Sequence, residues 1–335
     1  MAKIVLTGIG HSVPPHLISN EFFETLDIES SSEWVKERTG IESRYSVLPE
    51  EIIRRLRSGD LEKSDLWKEK LATPLAEMTD GAWEQACNMT GNAAFSPDFL
   101  ICGTSVPDFF IPANASKIAQ KLCLSSLSFD VNTACSSFVT NLAVARGMLS
   151  QGEYRSAAIF NVERYTTQLD FRDKKTCVLF GDGASCALLQ QTDGSHGLEL
   201  VDVVLHSDPA GSDHVQIPIH DTFSQNGAAV QKFAIGKTVQ VVSEIMDRNR
   251  LSSGDLRFFI GHQANLRMLQ ATIKKLGLSP EQHLYNVTTH GNQGAAGAPS
   301  VLAQNWKRYV PGDYIVVAVV GSGLTWGAAL FRRGV

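Results

Sequence analysis

The stretch FDVNTACSSFVTNLAVARGMLSQG, residues 129–152, carries one cysteine, Cys135, on the turn between a strand and a helix. Phe129–Val131 have the character of a strand end, and apolar residues from Phe138 to Leu149 recur at helical spacing. The positive end of a helix dipole favours a thiolate, so this position predicts a lowered thiol pKa and a nucleophile. A small buried packing cysteine is the alternative, and this stretch alone does not decide between them.

The composition of the chain is that of an ordinary globular protein. Its 335 residues, 43% of them hydrophobic, are enough for one large domain or two modest ones. A formal net charge of −5 gives no overall attraction to nucleic acid or to an anionic membrane. Since no leader-like segment opens the chain and no apolar run could span a bilayer, we expect a cytoplasmic protein that binds neither.

The cysteines show no spacing typical of a metal site or of a disulfide framework. We therefore expect reduced thiols and no metal. Only the cysteine at position 135 lies on a turn into a helix, and packing explains the others. The six are Cys87, Cys102, Cys123, Cys135, Cys177 and Cys186.

Predicted strands and helices alternate along the chain, which indicates an α/β fold. The same order of elements occurs twice: FLICGTS opens the series in the first half and RFFIGHQ opens it in the second. Cys135 follows Gly103 by 32 positions, and Asn292 follows Gly261 by 31, so the two residues occupy equivalent turns. We predict two halves related by a pseudo-twofold axis, residues 1–192 and 193–335, with the boundary in QTDGSHG, residues 191–197.

Three reactive side chains follow predicted strands of this duplicated scaffold, namely Cys135, His262 in GHQAN and Asn292 in HGNQGAAG. Open α/β folds bind their ligands at the carboxyl ends of strands. A thiolate nucleophile needs a group that handles its proton and donors that stabilise developing negative charge, and His and Asn side chains supply both. The sequence therefore predicts one site that contains all three residues.

Several long motifs of the chain resemble those of the 3-oxoacyl-[acyl-carrier-protein] synthase III family, a branch of the thiolase superfamily. The resemblance covers nearly the whole chain and implies a thiolase-like fold, an αβαβα layered core and a homodimer. The motifs are SSEWVKERTGIESRY (31–45), TACSSF (133–138), LFGDGAS (179–185), HSDPAG (206–211), GHQANLRMLQATIKKLGL (261–278), HGNQGAAGAPS (290–300) and GSGLTWGAALFRR (321–333).

The resemblance implies a decarboxylative Claisen condensation, in fatty-acid or related polyketide and secondary-metabolite synthesis. Cys135 becomes the nucleophile that carries the acyl primer as a thioester, and His262 and Asn292 drive decarboxylation of malonyl-acyl carrier protein. Backbone N–H groups of Cys135 and Ser322 form the expected oxyanion hole. The substrates are acyl-coenzyme A or acyl-carrier thioesters, and we expect no cofactor beyond them.

The resemblance implies two groups of residues that recognise the carrier. Trp34 and Arg38, four apart on one helix face, match the family's pair for the adenine end of coenzyme A, although a core role for Trp34 is an alternative. Asn265 is expected to contact the pantetheine arm.

A basic patch is expected to steer an acidic acyl carrier protein in a salt-dependent way. The alternative interpretation is that these basic residues are ordinary solvated charges on helix faces. The expected carrier contacts are Lys232, Arg267, Lys274 and Lys275.

Two positions depart from the family pattern. Thr167 stands where many members have a nucleotide-binding arginine; Arg164 is a nearby substitute, and the primer carrier, coenzyme A or acyl carrier protein, stays open. Ile111 stands where short-chain enzymes have Phe, which predicts an acyl pocket for longer or branched groups. Phe109 or Phe110 could fill the same space.

Other functions remain as alternatives. Gln293 and Gly294 stand where Thr or Met and Ser are common in the family, which suits a specialised condensing enzyme or an acyltransferase of secondary metabolism. A two-cysteine thiolase is disfavoured because residues 321–326 contain no cysteine, and the three reactive residues argue against a non-catalytic carrier-binding subunit. The apolar strand RSAAIFN, residues 155–161, is a candidate edge for dimerisation.

Overall fold

A computed structural model describes residues 3–192, 194 and 196–334 of the chain. Within these ranges, no helix is long and apolar enough to cross a membrane. The strands are β1 Lys3–Ser12, β2 His16–Ser19, β3 Ser43–Ser46, β4 Phe99–Gly103, β5 Leu127–Asp130, β6 Ser156–Glu163, β7 Gly183–Thr192, β8 Leu198–Ser207, β9 Val215–Gln216, β10 Ser224–Gln225, β11 Leu256–Gly261, β12 His283–Leu284, β13 Tyr314–Gly321 and β14 Thr325–Arg333. The helices are α1 Asn20–Glu24, α2 Ser32–Thr39, α3 Glu50–Ser58, α4 Asp65–Lys68, α5 Asp80–Thr90, α6 Asn114–Lys121, α7 Ser137–Ser150, α8 Gly227–Arg248, α9 Leu266–Leu276, α10 Val287–His290 and α11 Gly297–Gln304.

The main sheet shows the duplication directly. Over the described residues its ten strands run β12-β11-β13-β14-β8-β1-β7-β6-β4-β5, so each half contributes five strands in the same relative order. β4 pairs in parallel with β5 and β6, and β11 pairs in parallel with β12 and β13. The last strand of each set, β7 or β14, returns antiparallel. Equivalent turns of the two halves therefore lie at equivalent ends of equivalent strands.

Helices cover the sheet on both sides and fill the space between its two halves. The sheet needs cover on both sides because its strands are apolar on both faces. In β4, Phe99 and Ile101 face a central core, while Leu100 and Cys102 face an outer core. The central core contains α7 and α11, packed against strands of both halves. Helices α5 and α6 cover the outside of the first half, and α8 and α9 that of the second. This arrangement confirms the predicted thiolase-like αβαβα layering.

The two halves join through an antiparallel contact between β1 and β8, where Val5 faces Glu199 and Leu6 faces Leu198. The predicted boundary falls beside Asp193, which with Ser195 lies outside the described residues. Since both halves share the central helices, they bury one common core. The division into 1–192 and 193–335 stays a prediction.

The strand proposed as a dimer edge is an interior strand, which corrects that expectation. RSAAIFN lies largely in β6, which pairs with β4 on one side and β7 on the other. Both of its faces are buried, as expected for a central strand with helices on both sides. The edge of the first half is the short strand β5 instead.

Two stretches of the second half differ from their predicted elements. LYNVTTHGN, residues 284–292, which the sequence pattern predicts to be strand-like, contributes only Leu284 to β12 before α10 begins. The sequence pattern also predicts one helix over residues 295–309, whereas the structure has a 3-10 turn at Gly294–Ala296, then α11, and a second 3-10 turn at Trp306–Arg308. The first 3-10 turn begins two residues after Asn292.

Candidate active site

Cys135 lies on the turn two residues before α7 begins, as the sequence predicts, and it is half-buried. The turn that presents it is unusual, because Ala134 adopts a φ of 49°, in the left-handed region that non-glycine residues avoid. The loop after β13 packs tightly against this turn. A Cβ atom on Gly321 would come within 2.5 Å of the Thr133 carbonyl oxygen and 2.7 Å of the Ser136 nitrogen. Gly321 therefore brings the adjacent Ser322 to the nucleophile.

The environment of the thiol does not favour its ionised form. Burial, with the nearby Glu163 carboxyl, raises the pKa of Cys135 to about 12. The Cys135 sulfur lies 3.6 Å from the Tyr165 hydroxyl, within hydrogen-bond distance. The expectation of a lowered thiol pKa from the helix start is wrong, since desolvation exceeds the effect of the helix end. The thiol must lose its proton as it reacts.

His262 follows β11 and is half-buried. Burial lowers the pKa of His262 to about 4, so the imidazole is neutral at physiological pH. Among the described residues no side chain or backbone group hydrogen-bonds its Nδ1. A neutral imidazole offers one N–H donor and one acceptor nitrogen, which suits hydrogen bonding to a developing enolate.

Asn292 is held by backbone contacts to the LFGDG segment. Its N–H donates to the Leu179 carbonyl at 2.8 Å, and its own carbonyl accepts from the Gly181 N–H at 3.1 Å. Its side-chain oxygen accepts from the Gly294 N–H at 3.0 Å. Because the oxygen is engaged, the amide NH₂ is the group left to donate to a substrate.

The three predicted reactive residues line one cavity of about 600 Å³. The same cavity is lined by Trp34, Arg38, Asn265 and Ser322, so the structure brings together the residues expected at the nucleophile and those expected on the carrier arm. A second cavity of about 510 Å³ also reaches Cys135. Its walls include Ser105, Tyr165, Val215, Ile217, Phe223 and Ser322.

Helix α2 presents Trp34 and Arg38 to the first cavity. Ser31 caps this helix by accepting from the Trp34 N–H at 3.0 Å. The Arg38 guanidinium lies 5.3 Å from the centre of the Trp34 ring, and the Lys174 ammonium lies 5.6 Å from it. Trp34 is half-buried, so it contacts the core and also walls the cavity. Asn265 uses its side-chain oxygen to cap α9 through the Met268 N–H.

Arg164 does not replace the missing nucleotide-binding arginine. Its side chain is fully buried, pairs with Asp108 and donates to the Thr73 carbonyl at 2.9 Å. Thr167 is also buried and donates its hydroxyl to the Arg164 carbonyl. Beside Arg38, further positive charge at the cavity comes from the neighbouring pair Lys174 and Lys175, which the sequence did not indicate.

The expected acyl-pocket residues do not reach either cavity of their own chain. Phe109 is 49% exposed and Ile111 is 86% exposed, because both lie on the loop after β4. Apolar side chains near Cys135 come from Val215, Ile217 and Phe223. These belong to a segment with only two-residue strands, so it offered no periodic signal.

The four expected carrier contacts are exposed, but they differ in their surroundings. Arg267 donates to the carbonyls of Glu37, at 2.8 Å, and Lys36, at 3.3 Å, so it fastens the end of α2 to α9. Lys274 and Lys275 lie in the last turn of α9, at the far end from Asn265. Lys232 lines a separate groove along α8.

The described residues contain no group of three or more His, Cys, Asp or Glu side chains placed to hold a metal ion.

Comparison with known proteins places this site in a family. A model of the 3-oxoacyl-[acyl-carrier-protein] synthase III C terminus matches residues 246–333, and the 3-oxoacyl-[acyl-carrier-protein] synthase III model matches residues 129–209. Beta-ketoacyl-[acyl-carrier-protein] synthase III from Clostridium perfringens is 32% identical, covering 99% of this chain and 99% of that protein. The protein of the same name from Acidiphilium cryptum is 33% identical, covering 99% and 100%.

A solved structure agrees with these sequence matches. The crystal structure of 3-oxoacyl-(acyl carrier protein) synthase III from Pseudomonas aeruginosa superposes with a TM-score of 0.86 at 28% identity, and the match covers 99% of both chains. Fold, site and sequence lead to the same assignment. The chain belongs to the 3-oxoacyl-[acyl-carrier-protein] synthase III family.

Proposed function

We propose that this enzyme condenses an acyl primer thioester with malonyl-acyl carrier protein to give 3-oxoacyl-acyl carrier protein. The observation that carries the proposal is the cavity that Cys135, His262 and Asn292 share. Family membership supports the same reaction, in fatty-acid or related polyketide synthesis. The reaction needs no cofactor beyond its thioester substrates. A cytoplasmic location stays a prediction.

The first step is transfer of the acyl group to Cys135. The sulfur attacks the primer thioester carbonyl, the bond to the carrier sulfur breaks, and the carrier leaves as a thiol. Backbone N–H groups of Cys135 and Ser322 are proposed to hold the oxyanion of the tetrahedral intermediate. The close packing of Gly321 against the nucleophile turn supports this assignment.

The second step is decarboxylation of the malonyl thioester. Loss of carbon dioxide leaves an enolate, whose oxygen accepts hydrogen bonds from neutral His262 and from the Asn292 amide. The lowered pKa of His262 supports a neutral donor here. The carbanion then attacks the acyl-Cys135 carbonyl, and the carbon–sulfur bond breaks to release product and the cysteine.

Carrier recognition is proposed from charge and shape. Trp34, Arg38, Lys174 and Lys175 on one cavity suit the adenine and phosphates of coenzyme A. Lys232, Lys274 and Lys275 are proposed as contacts for an acidic acyl carrier protein. The cavity supports a carrier arm that runs from Trp34 and the basic residues beside it to Cys135, with Asn265 on its wall.

Intact-mass analysis tests the proposal. The protein is mixed with acyl-coenzyme A or acyl-carrier protein donors, and malonyl-acyl carrier protein is added afterwards. We expect one acyl adduct, its loss in Cys135→Ala, and its retention in Cys123→Ala, a matched control at an exposed cysteine outside the site. Malonyl addition should then release carbon dioxide and the 3-oxoacyl product. Acylation without carbon dioxide release would instead support the alternative, an acyltransferase of secondary metabolism.

A further inference from the structure

A partly buried chain of hydrogen bonds leads away from the nucleophile toward a carboxyl group that the condensation mechanism does not use. The Cys135 sulfur contacts the Tyr165 hydroxyl at 3.6 Å. The Tyr165 hydroxyl donates to the Ser105 hydroxyl at 3.0 Å, and the Ser105 hydroxyl donates to Glu163 Oε1 at 3.1 Å. Because Tyr165 already uses its proton toward Ser105, the thiol is the donor in the first contact.

The carboxyl at the end of this chain is firmly placed. Glu163 is fully buried at the end of β6, and its Oε2 accepts from the Ser105 N–H at 2.9 Å. Its Oε1 also accepts from the Ala295 N–H at 3.3 Å. No arginine or lysine forms an ion pair with it among the described residues. Burial of a carboxylate without such a partner disfavours its charged form, so it accepts a proton more readily than an exposed carboxylate does.

The tyrosine is fitted into this position by its neighbours. Its ring stacks on Phe180, with the ring centres 4.6 Å apart. A Cβ atom on Gly294 would come within 2.5 Å of the Tyr165 ring and 2.9 Å of Glu163 Oε1. The glycine that departs from the family pattern therefore makes the room that the tyrosine and the carboxyl occupy.

We propose that Tyr165 and Ser105 are positioning residues that connect the Cys135 thiol to Glu163, which receives the thiol proton as Cys135 is acylated. The inference rests on the proposed function insofar as Cys135 is the acylated residue. The S–H bond of Cys135 breaks and its proton goes to the Tyr165 oxygen. The Tyr165 proton passes to Ser105, and the Ser105 proton passes to Glu163. One proton thus moves from sulfur to carboxylate, and both hydroxyls are restored.

The ionisation of the carboxyl suits this role. Burial raises the pKa of Glu163 to about 8, so near-neutral pH leaves it partly ionised and able to accept a proton. The nearby Asp182 has a pKa raised by burial to about 6, so its charge changes little above pH 7.5. Four other titratable or charged groups face this carboxyl. Burial raises the pKa of Cys102, Cys135 and Tyr165. Burial lowers the pKa of the fourth, Arg164, which pairs with Asp108.

The rate of Cys135 alkylation by iodoacetamide tests the relay without any carrier thioester. It is followed by peptide mass mapping from pH 6 to pH 10, in a Cys123→Ser background that removes the exposed cysteine. We expect the parent rate to show a step with a midpoint near pH 8, where Glu163 ionises. Glu163→Gln, Ser105→Ala and Tyr165→Phe should each lose that step and react about tenfold slower at pH 9. Tyr309→Phe, which removes a buried hydroxyl bonded to the Leu302 carbonyl, should keep it.

The opposite result has a clear physical meaning. If Glu163 acts only by repelling the thiolate, Glu163→Gln and Ser105→Ala will react as fast as the parent or faster, and the relay is overturned. Melting temperatures identify variants that fail to fold. If Glu163→Gln does not fold, the alkylation rate of Ser105→Ala, the mildest change, tests the relay in its place. A protein that keeps the step near pH 8 but never takes an acyl group would overturn the proposed function and leave the relay intact.

Discussion

At the scale of single residues, Gly321 controls the approach of two loops at the nucleophile. An alanine Cβ would collide with backbone atoms at Thr133 and Ser136, which cannot rotate away as a side chain can. We expect Gly321→Ala to destabilise the fold by about 1–3 kcal/mol and to slow acylation strongly. Gly147→Ala is the control, because nothing lies within 4 Å of its Cβ position in α7 and a helical alanine stabilises. Thermal unfolding and intact-mass acylation of both variants measure the difference; equal effects would contradict the packing argument.

The sequence predicts the positions of Cys135 and Asn292 better than it predicts their surroundings. The order of elements recurs in the two halves, so spacing is enough to place both residues, although a short helix, α10, directly precedes Asn292. Ser105 and Glu163 are 58 positions apart and meet only because β4 and β6 are neighbours in the sheet. The pKa of the thiol depends on burial by such distant segments, which explains why a helix-start argument gave the wrong direction.

At the scale of elements, the contact between α2 and α9 links the expected nucleotide site to the expected carrier patch. Arg267 holds the last turn of α2 through two backbone carbonyls, a geometry that the forked guanidinium allows and a lysine ammonium does not. We therefore expect Arg267→Lys, which keeps the charge, to raise the KM for acyl-coenzyme A several-fold and to cost about 1 kcal/mol of stability.

The comparison variant is Lys274→Glu with Lys275→Glu, which leaves α2 untouched. It should weaken use of malonyl-acyl carrier protein, more so at low salt, with little change in the KM for acyl-coenzyme A. Steady-state kinetics at two salt concentrations measure both. If Arg267→Lys and wild type have the same KM, the anchoring role of Arg267 is refuted.

Elements themselves are predicted unevenly. Helix α7, Ser137–Ser150, closely matches the helical spacing predicted from Phe138 to Leu149. Strand order is different, because a buried strand such as β6 has the same apolar composition whether it lies at an edge or in the interior. Pairing partners distant in sequence decide that question, and β5, which forms the edge, is only four residues long.

At the scale of the whole molecule, the exposed loop after β4 is the surface where we expect a second copy to bind. Phe110 is 81% exposed and Ile111 lies beside it, an apolar surface that an isolated chain would leave in water. We expect the protein to be a homodimer, and Phe110→Asp with Ile111→Asp to shift it toward monomer, because two unpaired carboxylates would have to be buried at the contact. Val310→Asp, also at an exposed apolar side chain, is the control and should stay dimeric. Light scattering after size exclusion gives the masses. A wild-type monomer, or a loop variant that remains dimeric, would show that this loop does not hold two copies together.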